Sequence, residues 1–340
     1  MDGLERARTQ QNTRTLAYVS QFICYLLILL PAALGVLYVR AFGVSVVKGD
    51  AWSMVPLFDR WSSGTLQVSD FFVQHNENRS AFPEAVELLM GIVTKYNNVA
   101  EMYLIQACLL ATLIILLAAF RANSKSSWGL FLFIPVSLLI FSFRQHSNML
   151  FGYQINFAFV EMFGVLTLFL LYILGRNSHK NLVFLSALMS ATATTYSVVS
   201  GLLVWPAGLL QLLVGPLEKP EKRVFIMLWS LVGLTEWTIY LRGWTPGRDC
   251  SSFIEWCYQK AQYQGNPGDR SVVSPLLHIF ENPLADIDFF LSLLANSLLW
   301  PNHQATVAVL VVGLLLICLA LVGLPLVKKN RKLGENSFWV

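Results

Sequence analysis

Charged residues are scarce in this chain. Only 13% of its 340 residues are Asp, Glu, Lys or Arg, whereas 55% are hydrophobic. A soluble domain of this length would carry about twice that charged fraction. The apolar residues also fall into runs long enough to cross a hydrocarbon core, which takes roughly 20 helical residues. The composition therefore predicts an all-α integral membrane protein.

The familiar catalytic and cofactor motifs are absent as well. The sequence has no C-x-x-C, H-E-x-x-H, P-loop or G-x-G-x-x-G pattern, which excludes zinc peptidases, P-loop ATPases and dinucleotide-binding enzymes. Cysteines are few, but Cys250 and Cys257 share one loop, where an oxidising compartment would allow a disulfide. The net charge of +4 is explained by membrane topology and implies no nucleic-acid partner.

Eight apolar segments are candidates for membrane spans. The fifth and sixth are short, so residues 182–215 are expected to form either two short spans or a re-entrant hairpin, with a break near Ser200 and Gly201. The eight predicted spans are 17–40, 99–121, 127–143, 153–175, 182–198, 201–215, 223–242 and 304–327.

The positions of Lys and Arg predict the orientation, because these residues accumulate on the cytoplasmic side. Under the eight-span count, all five basic clusters lie on one side, together with both termini. We therefore expect one membrane domain, residues 1–340, with cytoplasmic termini. Two large outer loops, residues 41–98 and 243–303, would lie on the opposite side.

The first outer loop is predicted to contain two juxtamembrane amphipathic helices. Met54, Leu57, Phe58 and Trp61 recur at helical spacing. A second apolar face has the same spacing and comprises Val86, Leu89, Met90 and Val93. Glu84 and Glu87 are expected on the wet side of this helix. Such short helices are stabilised when the apolar face lies in the membrane interface.

Polar residues between and beside these helices are candidates for a site. Asp70, His75 and Glu77 could hold a metal or an acceptor hydroxyl, and Arg79 could bind a phosphate; the alternative is a solvated loop with Asp70 as a helix cap. Asp50 is either a boundary charge or a group that meets a lipid phosphate.

Glu161 lies inside a predicted span. A carboxylate there is costly, so it usually faces a cavity or a charged partner. Arg144 and His146 are available as partners, and Gln154 and Trp205 could line the same cavity, although Trp205 could equally be a packing residue.

These features carry a resemblance. An Asp soon after the first span, followed by a large outer loop with two juxtamembrane helices, resembles the GT-C superfamily of integral-membrane glycosyltransferases. The segment DAWSMVPLFDRWSSGTLQVSDFFVQHNENRSAFPEAVELL (50–89) looks like a group of bacterial membrane proteins with a Q-H-N-E-x-R motif. So do FGYQINF (151–157), YSVVSGLLVWPAGLL (196–210) and IYLRGWTP (239–246). Asn78 stands where that group has His.

The resemblance implies a GT-C-like module in a bacterial inner (plasma) membrane. It implies an inverting transfer of a sugar from a polyprenyl-phosphate donor to a lipid or glycan acceptor on the non-cytoplasmic face. Asp50 and Asp70 would be catalytic, and Asp50, Asp70 and Glu77 would hold Mg²⁺ or Mn²⁺, which prefer oxygen ligands. The expected substrate-binding residues are His75, Glu77, Arg79, Arg144, His146, Gln154, Glu161 and Trp205.

Two other functions stay open at this point. One is a non-catalytic GT-C-like subunit that binds polyprenol or serves as a scaffold for a partner subunit. The other is a transporter or flippase for a lipid-linked sugar. The spans are mostly apolar and the polar residues gather on the predicted outer side, which argues against transport.

Overall fold

The computed structural model describes residues 2–123 and 128–244. This part of the chain is all-α, with 82% of its residues helical and no strands. Its α-helices are α1 (Asp2–Phe42), α2 (Val55–Ser62), α3 (Ala81–Thr94), α4 (Asn98–Asn123), α5 (Phe133–Ile140), α6 (His146–Met149), α7 (Ile155–Leu174), α8 (Lys180–Thr195), α9 (Val204–Val214) and α10 (Lys219–Leu241). The predicted span 304–327, the Cys250–Cys257 pair and most of loop 243–303 lie outside the described residues.

Five helical stretches in the described part are long and apolar enough to cross a membrane. They are Tyr18–Phe42, Asn98–Ala122, Gly129–Met149, Gly152–Leu174 and Lys219–Leu241. Each coincides with one of the predicted spans, so the prediction of a multi-span α-helical membrane protein is confirmed. The count of eight spans stays a prediction.

The region 182–215 forms two short helices, α8 and α9. The break between them lies at Tyr196–Val198, a few residues before the predicted position, and a 3-10 helix, Val199–Leu203, leads into α9. Residues at the start of α3 donate hydrogen bonds to carbonyls in this break. Phe82 N–H donates to Tyr196 O at 3.2 Å, and Ser80 Oγ donates to Ser197 O at 3.1 Å.

The helices pack around α7, which contacts α4, α8 and α9. One apolar core joins α1, α4, α5 and α7 and includes Ile28, Leu109 and Phe159. A second core joins α7 to α8, α9 and α10 and is centred on Trp205 and Trp229, whose ring centroids are 4.7 Å apart.

The segment between α1 and α4, residues 43–97, is called the first loop below. It packs around its own small core of Met54, Leu57, Leu88 and Tyr153. The α2 helix has Pro56 in its first turn and stops before Gly64, whose φ of +71° suits glycine.

The water-facing position predicted for Glu84 and Glu87 on α3 is wrong, because both side chains are buried. Leu89 and Val93, on the face predicted to lie in the membrane interface, are 60% and 71% exposed. The helix packs its carboxyl-bearing face against α4 and α7. In a membrane protein, exposed apolar side chains can face lipid, so the polar face of a helix is free to turn inward.

Candidate functional site

Three glutamates converge where α3 meets the start of α4. Glu84 and Glu87 are three residues apart and therefore share a face of α3, and Glu101 lies in the first turn of α4. Their side chains are only 8%, 3% and 4% exposed, respectively. We call these three residues the glutamate cluster. The ion pairs Arg60–Asp70 and Lys180–Glu221 lie elsewhere in the structure.

Burial changes the acid–base behaviour of the two α3 carboxyls. It raises the pKa of Glu84 to about 8. It also raises the pKa of Glu87 well above its ordinary value, and the nearby charges of Glu101 and Glu84 add to that rise. A buried carboxyl disfavours its charged form because the protein interior solvates the charge poorly. Glu84 is therefore predominantly protonated at neutral pH, and burial favours the protonated form of Glu87 as well.

Tyr153 connects the glutamate cluster to the rest of the first loop. It is buried in the 3-10 helix Gly152–Gln154, and Ser53 Oγ donates a hydrogen bond to its hydroxyl at 3.0 Å. The same hydroxyl lies within electrostatic reach of Glu87, Glu84 and Asp50. Unlike the two glutamates, Asp50 is exposed, in the first turn of the 3-10 helix Gly49–Met54.

His75 approaches Tyr153 from a tight hairpin. The backbone groups of His75 and Asn78 exchange two hydrogen bonds of 2.9 Å, and Asn76 between them adopts φ +51°, which asparagine tolerates well. The His75 ring stands edge-on to the Tyr153 ring with the centroids 6.2 Å apart. Its Nε2 is buried and has no hydrogen-bond partner among the described residues.

The hairpin is fixed to the far half of the described chain. Asn78 Oδ1 accepts a hydrogen bond of 2.9 Å from Val199 N–H, and Trp244 Nε1 donates to Glu77 O at 2.8 Å. Asn78 thus ties the hairpin to the α8–α9 connection. The Glu77 side chain itself is exposed.

The side chain of Arg79 binds backbone carbonyls of the fold, whereas the sequence predicts that it binds a phosphate. Its guanidinium donates to three backbone carbonyls: to Tyr240 O at 2.9 Å, Phe72 O at 2.6 Å and Arg242 O at 2.9 Å. Two of these carbonyls belong to the C-terminal end of α10, where a cation is favoured by the helix dipole. Arg79 therefore clamps the first loop to α10.

The predicted metal ligands do not assemble. Asp70 forms an ion pair with Arg60 and accepts a hydrogen bond of 2.8 Å from Gln67 N–H, so it serves mainly as the cap of the 3-10 helix Val68–Phe72. Among the described residues no group of three or more His, Cys, Asp or Glu side chains could hold a metal. Asp50, Asp70 and Glu77 are all described and form no such group, and metal binding by these three residues stays a prediction from the resemblance.

The other predicted site residues occupy separate positions. Trp205 is buried and donates to Thr195 Oγ1 at 2.9 Å, which matches the packing alternative. Glu161 is exposed on α7 with respect to the described residues. Arg144 and Gln154 are half-buried in two different 3-10 helices, and His146 is exposed with its Nδ1 3.2 Å from Phe143 O.

An apolar groove of about 410 Å³ lies on the surface of the first loop. Its walls include Trp52, Val55, Phe58, Trp61, Ile92 and Tyr96. Tyr96 also borders the glutamate cluster: burial, Glu101 and Glu87 together raise the pKa of its hydroxyl to about 12. One tyrosine thus separates an apolar groove from a buried group of carboxyls.

Sequence reasoning missed the glutamate cluster, Tyr96 and Tyr153. One usable signal was present: two glutamates three residues apart on the face of α3 opposite Leu89 and Val93. Tyr153 gave no local signal, since its neighbours come from loops distant in sequence. No family model, curated protein or solved structure matches the chain.

Proposed function

We propose that the protein is a glycosyltransferase of the kind that the sequence resemblance implies. It would transfer a sugar from a polyprenyl-phosphate donor to an acceptor hydroxyl on the non-cytoplasmic face of a bacterial plasma membrane. One observation carries the proposal: the 3-10 helix with exposed Asp50 and the helix α3 with buried Glu84 both contribute to the small apolar core that contains Tyr153. Enzymes divide acid and base roles between carboxyls in this way.

The proposed reaction uses Asp50 as the general base. As the acceptor hydroxyl attacks, a bond forms between its oxygen and the anomeric carbon of the sugar. The bond between that carbon and the donor phosphate oxygen breaks, and the polyprenyl phosphate leaves with the electron pair. The hydroxyl proton passes to the Asp50 carboxylate. A positioned base of this kind typically contributes about 10²–10⁴ in rate.

Glu84 and Glu87 serve a different purpose in this proposal. Because burial raises the pKa of both carboxyls, they add less negative charge to the site than exposed carboxylates would. Each can also donate a hydrogen bond through its carboxyl proton. The cluster therefore keeps the site polar without repelling an anionic donor.

In this proposal a residue other than Arg79 supplies the positive charge for the leaving phosphate, because the Arg79 guanidinium already donates hydrogen bonds to backbone carbonyls. Arg144 remains the proposed cation. Mg²⁺ or Mn²⁺ stays a prediction from the resemblance, and no step above depends on a metal.

A transfer assay with purified protein tests the proposal. The donor is a radiolabelled polyprenyl-phosphate sugar, and the acceptors are a long-chain alcohol and a water-soluble glycan, each with and without Mg²⁺. We expect label in one of the acceptors. Co-purifying polyprenyl phosphate without any transfer would contradict an enzyme and favour the scaffold function.

Topology is tested separately in intact cells. A single cysteine placed at Leu66 in the first loop should react with a membrane-impermeant maleimide, as should one at Asn266. Protection of both positions would place the site in the cytoplasm and contradict the proposed use of an outer-face donor.

A further inference from the structure

The groove on the first loop is shaped by an unusual piece of backbone. Lys95 and Tyr96, at the end of α3, have φ values of +56° and +59°. Two consecutive non-glycine residues in this left-handed region are uncommon, and each such conformation costs of order 1–3 kcal/mol unless its surroundings hold it. The Tyr96 N–H donates to Gly91 O at 2.8 Å, and the Tyr96 hydroxyl donates to Ala51 O at 3.3 Å. The turn thereby fixes the tyrosine ring as a groove wall.

Gly91 permits the close packing of that wall. A β-carbon at this position would come within 2.8 Å of Phe58 Cε1 and 3.0 Å of Tyr96 Cδ2. The two rings meet edge-on with centroids 5.1 Å apart. The floor and end of the groove are thus packed, whereas Trp52, Val55 and Trp61 along its rim are exposed.

The groove continues the apolar surface of the first candidate span. Phe42 ends α1, and the exposed Val44 and Val46 follow it before Val47, which lines the groove. Exposed indoles such as Trp52 and Trp61 suit the interface between hydrocarbon and headgroups. An occupant that reaches the groove along α1 therefore comes from the hydrocarbon layer. A volume of about 410 Å³ is near the lower end of small-ligand pockets, roughly 300–1,000 Å³, which suits one hydrocarbon chain.

Asp50 lies in the chain between Val47 and Trp52, two residues that line this groove, and its own side chain is exposed. We infer that the acceptor is a lipid, whose hydrocarbon chain lies in the groove and whose hydroxyl meets Asp50. This inference rests on the proposed function and narrows it, since the product would then be a glycolipid and not a soluble glycan. The long polyprenyl chain of the donor would lie elsewhere, against the spans.

The test uses a long-chain alcohol that carries a diazirine in its hydrocarbon chain, with purified full-length protein in lipid nanodiscs. After irradiation, mass spectrometry locates the labelled peptides. We expect labelling of α2 and of the α3 end. Val55→Trp should reduce it at least tenfold by filling the groove. Val93→Trp is the matched control, since it makes the same exchange at an exposed position of α3 that does not line the groove.

Trp61→Gln provides a second variant that removes a wall instead of filling the groove, and it should also reduce labelling.

Measuring sugar transfer distinguishes the lipid-acceptor inference from the proposed glycosyltransferase function. If Val55→Trp loses transfer to the long-chain alcohol but keeps transfer to a short-chain alcohol, the lipid-acceptor inference is supported. Equal labelling of wild type, Val55→Trp and Val93→Trp overturns it. Transfer to a water-soluble glycan without groove labelling also overturns it while leaving the proposed function intact. Groove labelling without transfer to any acceptor overturns the proposed function.

Discussion

The side chain of Glu101 lies directly against the backbone of Gly152. A β-carbon on Gly152 would overlap the Glu101 carboxylate and would come within 2.7 Å of Glu101 Cβ. This contact joins the first turn of α4 to the 3-10 helix that carries Tyr153. Glycine at position 152 therefore allows the buried carboxyl and the tyrosine to occupy neighbouring positions.

Gly152→Ala should destabilise the protein by about 1–3 kcal/mol, the usual cost of overpacking a buried site. The methyl group meets Glu101 at its Cβ as well as at its carboxylate, so a simple rotation of the side chain end cannot relieve the clash. The midpoint of thermal unfolding in detergent measures the effect. Gly164→Ala in α7 is the control, because its β-carbon would lie 3.7 Å from Thr194 Cγ2, an ordinary contact. Equal melting temperatures for the two variants would contradict the close packing at Gly152.

The raised pKa of Glu84 predicts a pH dependence of stability. The pKa rises from 4.5 to about 8 on folding, so between these values the folded protein binds more protons than the unfolded chain. Stability should therefore fall as pH rises through this window, with a slope approaching about 1.4 kcal/mol per pH unit for one proton. Glu84→Gln, which cannot ionise, should flatten the dependence of the melting temperature on pH.

Glu77→Gln serves as the control for this titration. Glu77 is exposed in the hairpin. Replacing it should leave the slope of stability against pH unchanged between about pH 5 and pH 8. If Glu84→Gln and wild type lost stability equally over that range, the burial of a protonated Glu84 would be refuted.

Arg79→Gln should weaken the attachment of the first loop to α10. The three carbonyls that Arg79 binds would lose their charged donor, and one hydrogen bond to a charged group is worth about 1.5–3 kcal/mol. We expect a loss of stability of at least that size in thermal unfolding. Arg60→Gln removes an arginine whose side chain is half exposed and paired with Asp70, and such pairs contribute about 0–1 kcal/mol. A similar effect of both variants would argue against the clamp.

Local structure follows residues that act through their own backbone conformations. Pro56 lies in the first turn of α2, and Gly64 adopts a positive φ just after the end of that helix. The water-facing position predicted for Glu84 and Glu87 is wrong, because apolar spacing does not show whether the opposite face of a helix meets water or another helix. The burial of Glu84 depends on α4, which a single helix cannot reveal.

The roles of the hairpin residues depend on contacts far along the chain. Arg79 binds the carbonyl of Tyr240, 161 positions away, and Asn78 binds Val199, 121 positions away. A polar motif such as Q-H-N-E-N-R looks the same whether it binds a substrate or holds two parts of a fold together. Its residues could therefore be singled out from the sequence, but their partners could not.

The last prediction concerns Asp50, which the proposed function makes the most sensitive position for activity. Asp50→Asn keeps the size of the side chain but removes the proton acceptor, so transfer to the acceptor should fall by about 10²–10⁴. Folding should be unaffected, because the residue is exposed and surface substitutions usually change stability by about 0.5 kcal/mol or less. Asp59→Asn, which alters another exposed carboxylate of the first loop, should retain wild-type transfer. Near-normal transfer by well-folded Asp50→Asn, measured beside Asp59→Asn in the same assay, would assign Asp50 the role of a boundary charge and favour Asp70 as the base or the non-catalytic scaffold function.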